Sequence, residues 1–146
     1  MADTITQLEL LLSYKHGLGE LSAYFEALRA GQAKGCRCSN CARVWFPPHI
    51  ACPEDGHACE WVSLDGSGTV LYVTETRSRL PFQEPEAHHI FILVSMAGAN
   101  NAAFGRWAPG WNRPNPGQQV QLVAPQEEKI GHPAQALLFE PQEDNR

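Results

Sequence analysis

Residues 1–33 carry apolar side chains at the three- and four-residue spacing of amphipathic helices. The first apolar stripe consists of Ile5, Leu8, Leu11 and Leu12, and Thr4 and Gln7 fit a capping box. The second stripe consists of Leu18, Leu21, Tyr24, Phe25 and Leu28, and Gly31 follows as the expected C′ residue. The pattern predicts two short helices. It leaves open whether they pack as a hairpin or form an arm that docks on a partner.

From Gly68 onward the pattern changes to short apolar or alternating runs that are typical of strands. The runs cover residues 69–76, 90–96, 102–107, 119–123 and 136–139. Glycine and proline separate these runs, and no strong helical pattern lies between them. Five short strands without intervening helices predict a small closed barrel or a sandwich, and therefore a mostly β fold.

Composition and charge narrow the class of protein. The chain has 146 residues, of which 43% are hydrophobic and 18% charged, so it is expected to fold. Its net charge of −5 argues against nucleic acid as a partner, because such proteins need a concentrated positive face. No run approaches the roughly 18 apolar residues of a membrane span, and the start lacks the basic region of a signal peptide. We therefore expect a cytoplasmic protein with reduced thiols.

All five cysteines lie between Cys36 and Cys59. Cys38 and Cys41 form a C-x₂-C turn, which directs two thiolates toward one point, and Cys52 follows ten residues later. Tetrahedral zinc prefers four nitrogen or sulfur ligands, so these three cysteines predict a structural zinc site. A second knuckle is expected to supply the fourth ligand, but Asp55 stands where its second cysteine would be.

Three residues compete for the fourth position. Cys59 is preferred because thiolate completes most structural zinc sites, and His57 and Asp55 are the alternatives. Cys36 lies too close to Cys38 for the same knuckle and is expected to be a spare thiol. The odd number of cysteines disfavours a pair of disulfides. A knuckle without metal is a further alternative.

Two other groups of residues invite a functional interpretation. His88 and His89 precede the most apolar strand and could be paired with Cys59 or Glu86, but strand-end histidines near a surface are the favoured interpretation. The W-A-P-G-W segment from Trp107 to Trp111 is a proline–glycine loop, which rarely buries two indoles, so both tryptophans are candidate anchors for a partner interface. No common catalytic motif occurs.

The motifs between Cys38 and Val70 appear in the order C-x-x-C, F-P-P, C-P, E-W-V and G-x-G-T-V. This order resembles the DUF35 family, in which a rubredoxin-like zinc ribbon precedes an OB-fold. The resemblance covers roughly residues 20–140. With the helical pattern, it predicts an N-terminal helical arm over residues 1–33, a zinc ribbon over 34–61 and a five-stranded OB-fold barrel over 62–146.

The resemblance implies a small non-catalytic subunit in a hetero-oligomer with a thiolase-superfamily enzyme that acts on acyl-CoA: a thiolase, an acyltransferase or a retro-aldolase. The subunit would brace the assembly and help to hold CoA, while the catalytic residues belong to the partner. Four arginines are then candidates for contact with the CoA phosphates, with solvated strand ends as the favoured alternative: Arg77, Arg79, Arg106 and Arg113. The alternatives are a protein that binds single-stranded nucleic acid and a free-standing enzyme that uses the irregular metal site.

Overall fold

The computed structural model describes residues 7–8, 10, 12–78, 87–126 and 137–142. A 3₁₀ turn at Gly19–Leu21 leads into one α-helix, α1 (Ser22–Arg29), which buries Tyr24, Ala27 and Leu28. Gly31 has φ +70 and ends the helix in a Schellman motif, in which Gln32 N–H donates to Ala27 O at 2.9 Å. The second predicted helix is therefore confirmed over Tyr24, Phe25 and Leu28, as is its C′ glycine, while Leu18 and Leu21 precede the α-helix.

The first predicted helix is wrong for those of its residues that the structure describes. Gln7, Leu8 and Leu12 belong to no helix, and all three side chains are exposed. Thr4, Ile5 and Leu11 lie outside the described residues. A short amphipathic helix is marginal in water unless its apolar face packs on something, and these described side chains remain exposed.

A three-stranded antiparallel sheet follows the helix. It consists of β1 (Ala33–Cys38), β2 (Val44–Trp45) and β3 (Cys59–Leu64), in the order β2-β1-β3. We call this sheet and its loops the ribbon. The register places Cys38 opposite Cys59 and Cys36 opposite Trp61, so cysteines of the two strands face the same side.

The remaining strands form a closed barrel. They are β4 (Ser67–Ser78), β5 (Ala87–Met96), β6 (Ala102–Trp107), β7 (Gln119–Val123) and β8 (Leu138–Pro141), in the order β4-β5-β6-β8-β7. All five predicted strands are present, and β6 and β8 pair in parallel while the other pairs are antiparallel. The mostly β fold with a five-stranded OB-type barrel is confirmed. The residue boundaries between the three predicted segments stay a prediction.

One hydrophobic core joins the helix and the barrel. It includes Tyr24 and Leu28 of α1 together with Ile92, Val120 and Phe139 from the barrel. No helix in the described part of the chain has the length and hydrophobicity that crossing a lipid bilayer requires.

Two consecutive asparagines connect the barrel to the ribbon. The Asn101 side chain accepts from Phe46 N–H at 2.8 Å and donates to Phe46 O at 3.0 Å, so it pairs with the backbone as a neighbouring strand would. Asn100 Oδ1 accepts from Val44 N–H at 2.8 Å, and Asn100 N–H donates to Val44 O at 2.8 Å. These bonds fix the position of β2, and hence of the cysteine turn before it, on the barrel.

Gly105 tests how closely the barrel interior is packed. A Cβ at this position would lie 2.7 Å from the Phe139 ring and 2.9 Å from Leu137 O. We expect Gly105→Ala to lower the free energy of unfolding by about 1–3 kcal/mol, because backbone and ring must both move. Chemical denaturation measures this loss. The control is Gly17→Ala, where the new methyl group meets nothing within 4 Å, and an equal loss there would contradict the explanation.

Candidate metal centre and barrel-end cavity

Two turns of the ribbon have the same backbone form. In the first, Cys38 Sγ accepts from the N–H groups of Asn40 and Cys41, both at 3.4 Å, and Ala42 N–H donates to Cys38 O at 3.2 Å. In the second, Gly56 N–H donates to Cys52 O at 2.9 Å. Ala42 and Gly56 both have positive φ, +61 and +74. Asp55 therefore occupies in the second turn the position that Cys41 occupies in the first.

The two turns bring four ligand groups together. One ligand atom from each of Cys38, Cys41, Cys52 and Asp55 lies within 4.8 Å of the other three. Cys41 Sγ is 3.7 Å from Cys52 Sγ, and Cys38 Sγ is 3.4 Å from Asp55 Oδ1. Zinc–sulfur bonds of about 2.3 Å that meet at tetrahedral angles place two sulfur atoms about 3.8 Å apart. The cluster can therefore hold a metal ion, and its spacing and ligand types fit zinc.

Asp55 is held as a carboxylate. Asn40 Nδ2 donates to its Oδ2 at 3.0 Å, and the backbone N–H of His57 donates to its Oδ1 at 3.0 Å. These two hydrogen bonds, with that from Asn40 the stronger, hold the pKa of Asp55 well below its usual range. The His57 ring, an alternative ligand in the sequence, lies against the same carboxylate with Nδ1 3.3 Å from Oδ1. His57 thus supports Asp55 and is not one of the four clustered groups.

Cys59, the fourth ligand preferred from the sequence, is not among the four clustered groups. It lies at the start of β3, packs against the cysteine cluster and forms a hydrogen bond with Cys36. Burial, followed by that bond, raises the pKa of Cys59 to about 12, which favours the neutral thiol. Cys36 Sγ in turn lies 3.1 Å from His49 N and 3.2 Å from His49 O. Which residue completes a metal site stays a prediction.

The thiols of the cluster affect one another's pKa. The backbone N–H of Arg43 lowers the pKa of Cys41, but burial and the Cys38 and Cys52 thiols together raise it to about 11. Burial also opposes ionisation of Cys52, yet the backbone N–H groups of Glu54 and Asp55 lower its pKa. A bound cation would lower the pKa of all of these thiols, because it stabilises every thiolate at once.

Ala42 is the one non-glycine residue with positive φ in the part of the chain that the structure describes. An L-residue there is strained, so we expect Ala42→Gly to raise the free energy of unfolding by about 1 kcal/mol. The matched control is Ala30→Gly, at a helix cap with φ −88, where we expect a loss of about 0.5–1 kcal/mol. Denaturation of both variants in the same buffer measures the two signs, and a loss for Ala42→Gly would contradict the strain.

The four candidate arginines have different surroundings. Arg77 is exposed on β4, Arg106 lies on β6, and Arg79 lies outside the described residues. Arg113 Nε donates to Glu75 Oε1, and His88 Nε2 lies 2.9 Å from Glu75 Oε2. Arg113, followed by His88, lowers the pKa of Glu75 below its ordinary value. The sequence pattern did not point to Glu75, whose carboxylate accepts a hydrogen bond from Arg113.

A cavity of about 450 Å³ lies at this end of the barrel. Its lining includes His88, His89, Arg106, Trp107 and Trp111. His89 Nε2 is buried and has no hydrogen-bond partner among the described residues.

The two tryptophans proposed as interface anchors differ in burial. Trp107 belongs to the core and donates from Nε1 to Asn112 O at 3.0 Å, whereas Trp111 is 43% exposed. Trp111 is thus the ring that is open to a partner, and its role there stays a prediction. His88 is paired with Glu75 and Cys59 belongs to the ribbon, while Glu86 lies outside the described residues.

No protein-family model and no curated protein matches the chain. Several solved structures do match the chain. A chain of the "Ltp2-ChsH2(DUF35) aldolase" matches with a TM-score of 0.59 and 20% identity, over 88% of this chain and 98% of that chain. A DUF35-family protein of unknown function from Sulfolobus solfataricus matches with a TM-score of 0.54 and 15% identity, over 82% and 83%. The resemblance to the DUF35 family is confirmed at the level of the fold: this chain has the fold of those two proteins.

Proposed function

We propose that this chain is a DUF35-family protein that serves as a cytoplasmic, non-catalytic accessory subunit of a thiolase-superfamily acyl-CoA enzyme. The observation that carries the proposal is the fold match to a chain of the Ltp2-ChsH2(DUF35) aldolase over nearly the whole of both chains. The name of that protein joins a DUF35 component to Ltp2 in one enzyme.

The metal in this proposal is zinc, and its role is structural. Cys38, Cys41, Cys52 and Asp55 would hold it, and it would supply the cross-link that fixes the two turns of the ribbon. The ribbon has a small cluster of its own, made of cysteines and Trp45, and a sheet with so few apolar side chains gains stability from a metal. Asn40 and His57 orient the carboxylate.

The proposal places the CoA contact at the barrel-end cavity. Arg106 supplies a positive charge at its wall, and the buried His89 Nε2 offers a polar atom to a ligand. The exposed Trp111 ring can cover a flat group at the same opening. The guanidinium of Arg113, another of the candidate arginines, is paired with Glu75.

The test is native purification of the tagged chain, followed by mass spectrometry of the proteins that co-elute in fixed stoichiometry. We expect a thiolase-superfamily subunit, and we expect the reconstituted complex to turn over an acyl-CoA that the zinc-loaded isolated chain does not. Elution of the chain alone would overturn the proposal. Turnover by the isolated chain that a chelator abolishes would instead support a free-standing metalloenzyme.

A further inference from the structure

Large apolar side chains are exposed on the outer surface of three neighbouring barrel strands. The register pairs Tyr72 on β4 with Leu93 on β5, and Leu93 with Phe104 on β6. Residues directly opposite each other project to the same face of a sheet, so the three side chains form one continuous row. Tyr72 is 71% exposed and Phe104 is 58% exposed, with Leu93 half-buried between them.

Phe91 extends this row and fixes its geometry. The Phe91 ring stacks on the Phe104 ring with centroids 5.4 Å apart and planes within 11°. In the register, Phe91 lies between Thr74 and Arg106. We call the outward side chains of these strands the aromatic face, which comprises Tyr72, Thr74, Thr76, His89, Phe91, Leu93, Ser95, Ala102, Phe104 and Arg106. Rings held in place before binding lose little entropy on binding.

The charge of the aromatic face differs from that of the whole chain. The chain carries a net charge of −5 with histidine counted as neutral, yet the aromatic face includes Arg106 and has no carboxylate among its described members. The nearest acidic neighbour in the β4 sequence is Glu75, whose side chain lies on the other side of the strand with His88 and Arg113. An apolar face with one arginine and no carboxylate among its described members is complementary to an apolar surface that is bordered by carboxylates.

We propose that the aromatic face is the docking surface for the catalytic subunit, and that this subunit presents an apolar patch bordered by carboxylates. The inference rests on the proposed function and adds the surface and its chemistry. A second copy of this chain fits less well, because a two-fold contact would bring together two faces that each contain Arg106 and no carboxylate among their described members. Single-stranded nucleic acid also fits less well, because it requires a groove with several cations.

The size of the aromatic face agrees with the centre of a larger interface. Large aromatic side chains bury about 150–250 Å² each, and a stable interface buries about 800 Å² on each partner. Tyr72, Phe91 and Phe104 supply the aromatic centre, and the barrel-end cavity continues the surface through His89 and Arg106, which belong to both. A catalytic subunit that docks here would therefore lie beside the proposed CoA contact.

The first test measures the dissociation constant of the complex between this chain and the thiolase-superfamily subunit that co-purifies with it. We expect Phe104→Asp, and separately Tyr72→Asp, to raise the dissociation constant at least about a hundredfold, as a central aromatic anchor would. The matched control is Ile50→Asp, which makes a similar change at a ribbon side chain that is 57% exposed, and we expect it to stay within about threefold. Circular dichroism and zinc content verify that each variant is folded.

The second test addresses charge at one position. Thr74 is exposed within the aromatic face, and we expect Thr74→Glu to weaken the complex at least about tenfold while Thr74→Lys stays within about threefold or binds more tightly. The difference between the two variants should shrink as salt is added. Equal weakening of the complex by both variants would overturn the proposal that carboxylates border the apolar patch of the partner.

The outcomes separate this inference from the proposed function. A wild-type complex that Phe104→Asp and Tyr72→Asp leave intact overturns the inference and retains the accessory role. Failure of the wild-type chain to bind any thiolase-superfamily subunit overturns both. Self-association, or binding of a single-stranded oligothymidylate, that is lost in Phe104→Asp would assign the aromatic face to another partner and overturn the inference.

Discussion

Replacing Cys38 with serine should abolish zinc binding at the proposed site and unfold the ribbon. Cys38 supplies a ligand atom to the cluster, and its sulfur accepts the two N–H bonds that shape the first turn. Structural zinc contributes folding free energy directly, so its loss should eliminate the cooperative stability of β1, β2 and β3 while the separately paired barrel persists. Metal analysis should give one zinc per wild-type chain and none per variant. Hydrogen exchange should then show protection lost in the ribbon and kept in β5.

The control is Cys36→Ser on the same strand. Cys36 and Cys38 are both 2% exposed and lie on the same face of β1, so the two substitutions make the same change in equally buried positions. Cys36 Sγ lies beside the backbone N and O of His49, which a hydroxyl can also bond. Cys36→Ser should therefore keep the zinc. Equal loss of zinc in both variants would show that burial of a thiol, and not ligation by Cys38, explains the effect.

Replacing Asp55 should change zinc affinity more than replacing Cys59 does. We expect Asp55→Ala to lower the affinity at least about a hundredfold, since loss of even an outer partner of a zinc ligand costs 10–100-fold. Asp55→Cys should bind zinc at least as tightly as the wild type, because it completes a four-thiolate set in the same turn. Competition with a chromophoric chelator measures all of these affinities.

The decisive comparison is with Cys59→Ala. Its thiol lies outside the four clustered groups, so its removal should leave zinc affinity within about threefold of the wild type. If Cys59→Ala lost as much affinity as Asp55→Ala, the metal would draw Cys59 into the site. If Cys59→Ala alone lost affinity, Cys59 would be the fourth ligand and Asp55 a neighbour.

The contrast between Asp55 and Cys59 shows that the chemical preference of a metal for its ligands does not identify those ligands unless the fold is known. Softness favours thiolate over carboxylate, and the sequence offers a thiol at Cys59. In the structure, β3 pairs with β1 and places Cys59 opposite Cys38 but outside the four clustered groups, while the turn that ends at Gly56 brings Asp55 to the cluster. The turn could be predicted from the sequence, because Asp55 stands at the knuckle position. The hydrogen bond from Asn40 to Asp55 could not be predicted, because it joins two separate turns.

The N-terminal segment shows a limit of a different kind. Its apolar spacing fits a helix, yet Leu8 and Leu12 are exposed and non-helical in the structure. Periodicity indicates which side chains would share a face, but the helix forms only where that face finds something to pack against. The second stripe does find such a surface, because Tyr24 and Leu28 reach the barrel core.

The sequence by itself determined the local features of this protein. Short apolar or alternating runs located all five barrel strands, Gly31 marked the end of the helix, and the cysteine spacing located three of the four groups in the candidate metal cluster. These features depend on residues that lie close together in the chain. Only the tertiary structure decided the parallel pairing of β6 with β8, the attachment of the ribbon through Asn101, and the row from Tyr72 to Phe104. The physical reason is that each requires strands distant in the chain to meet in one register, which local pattern does not specify.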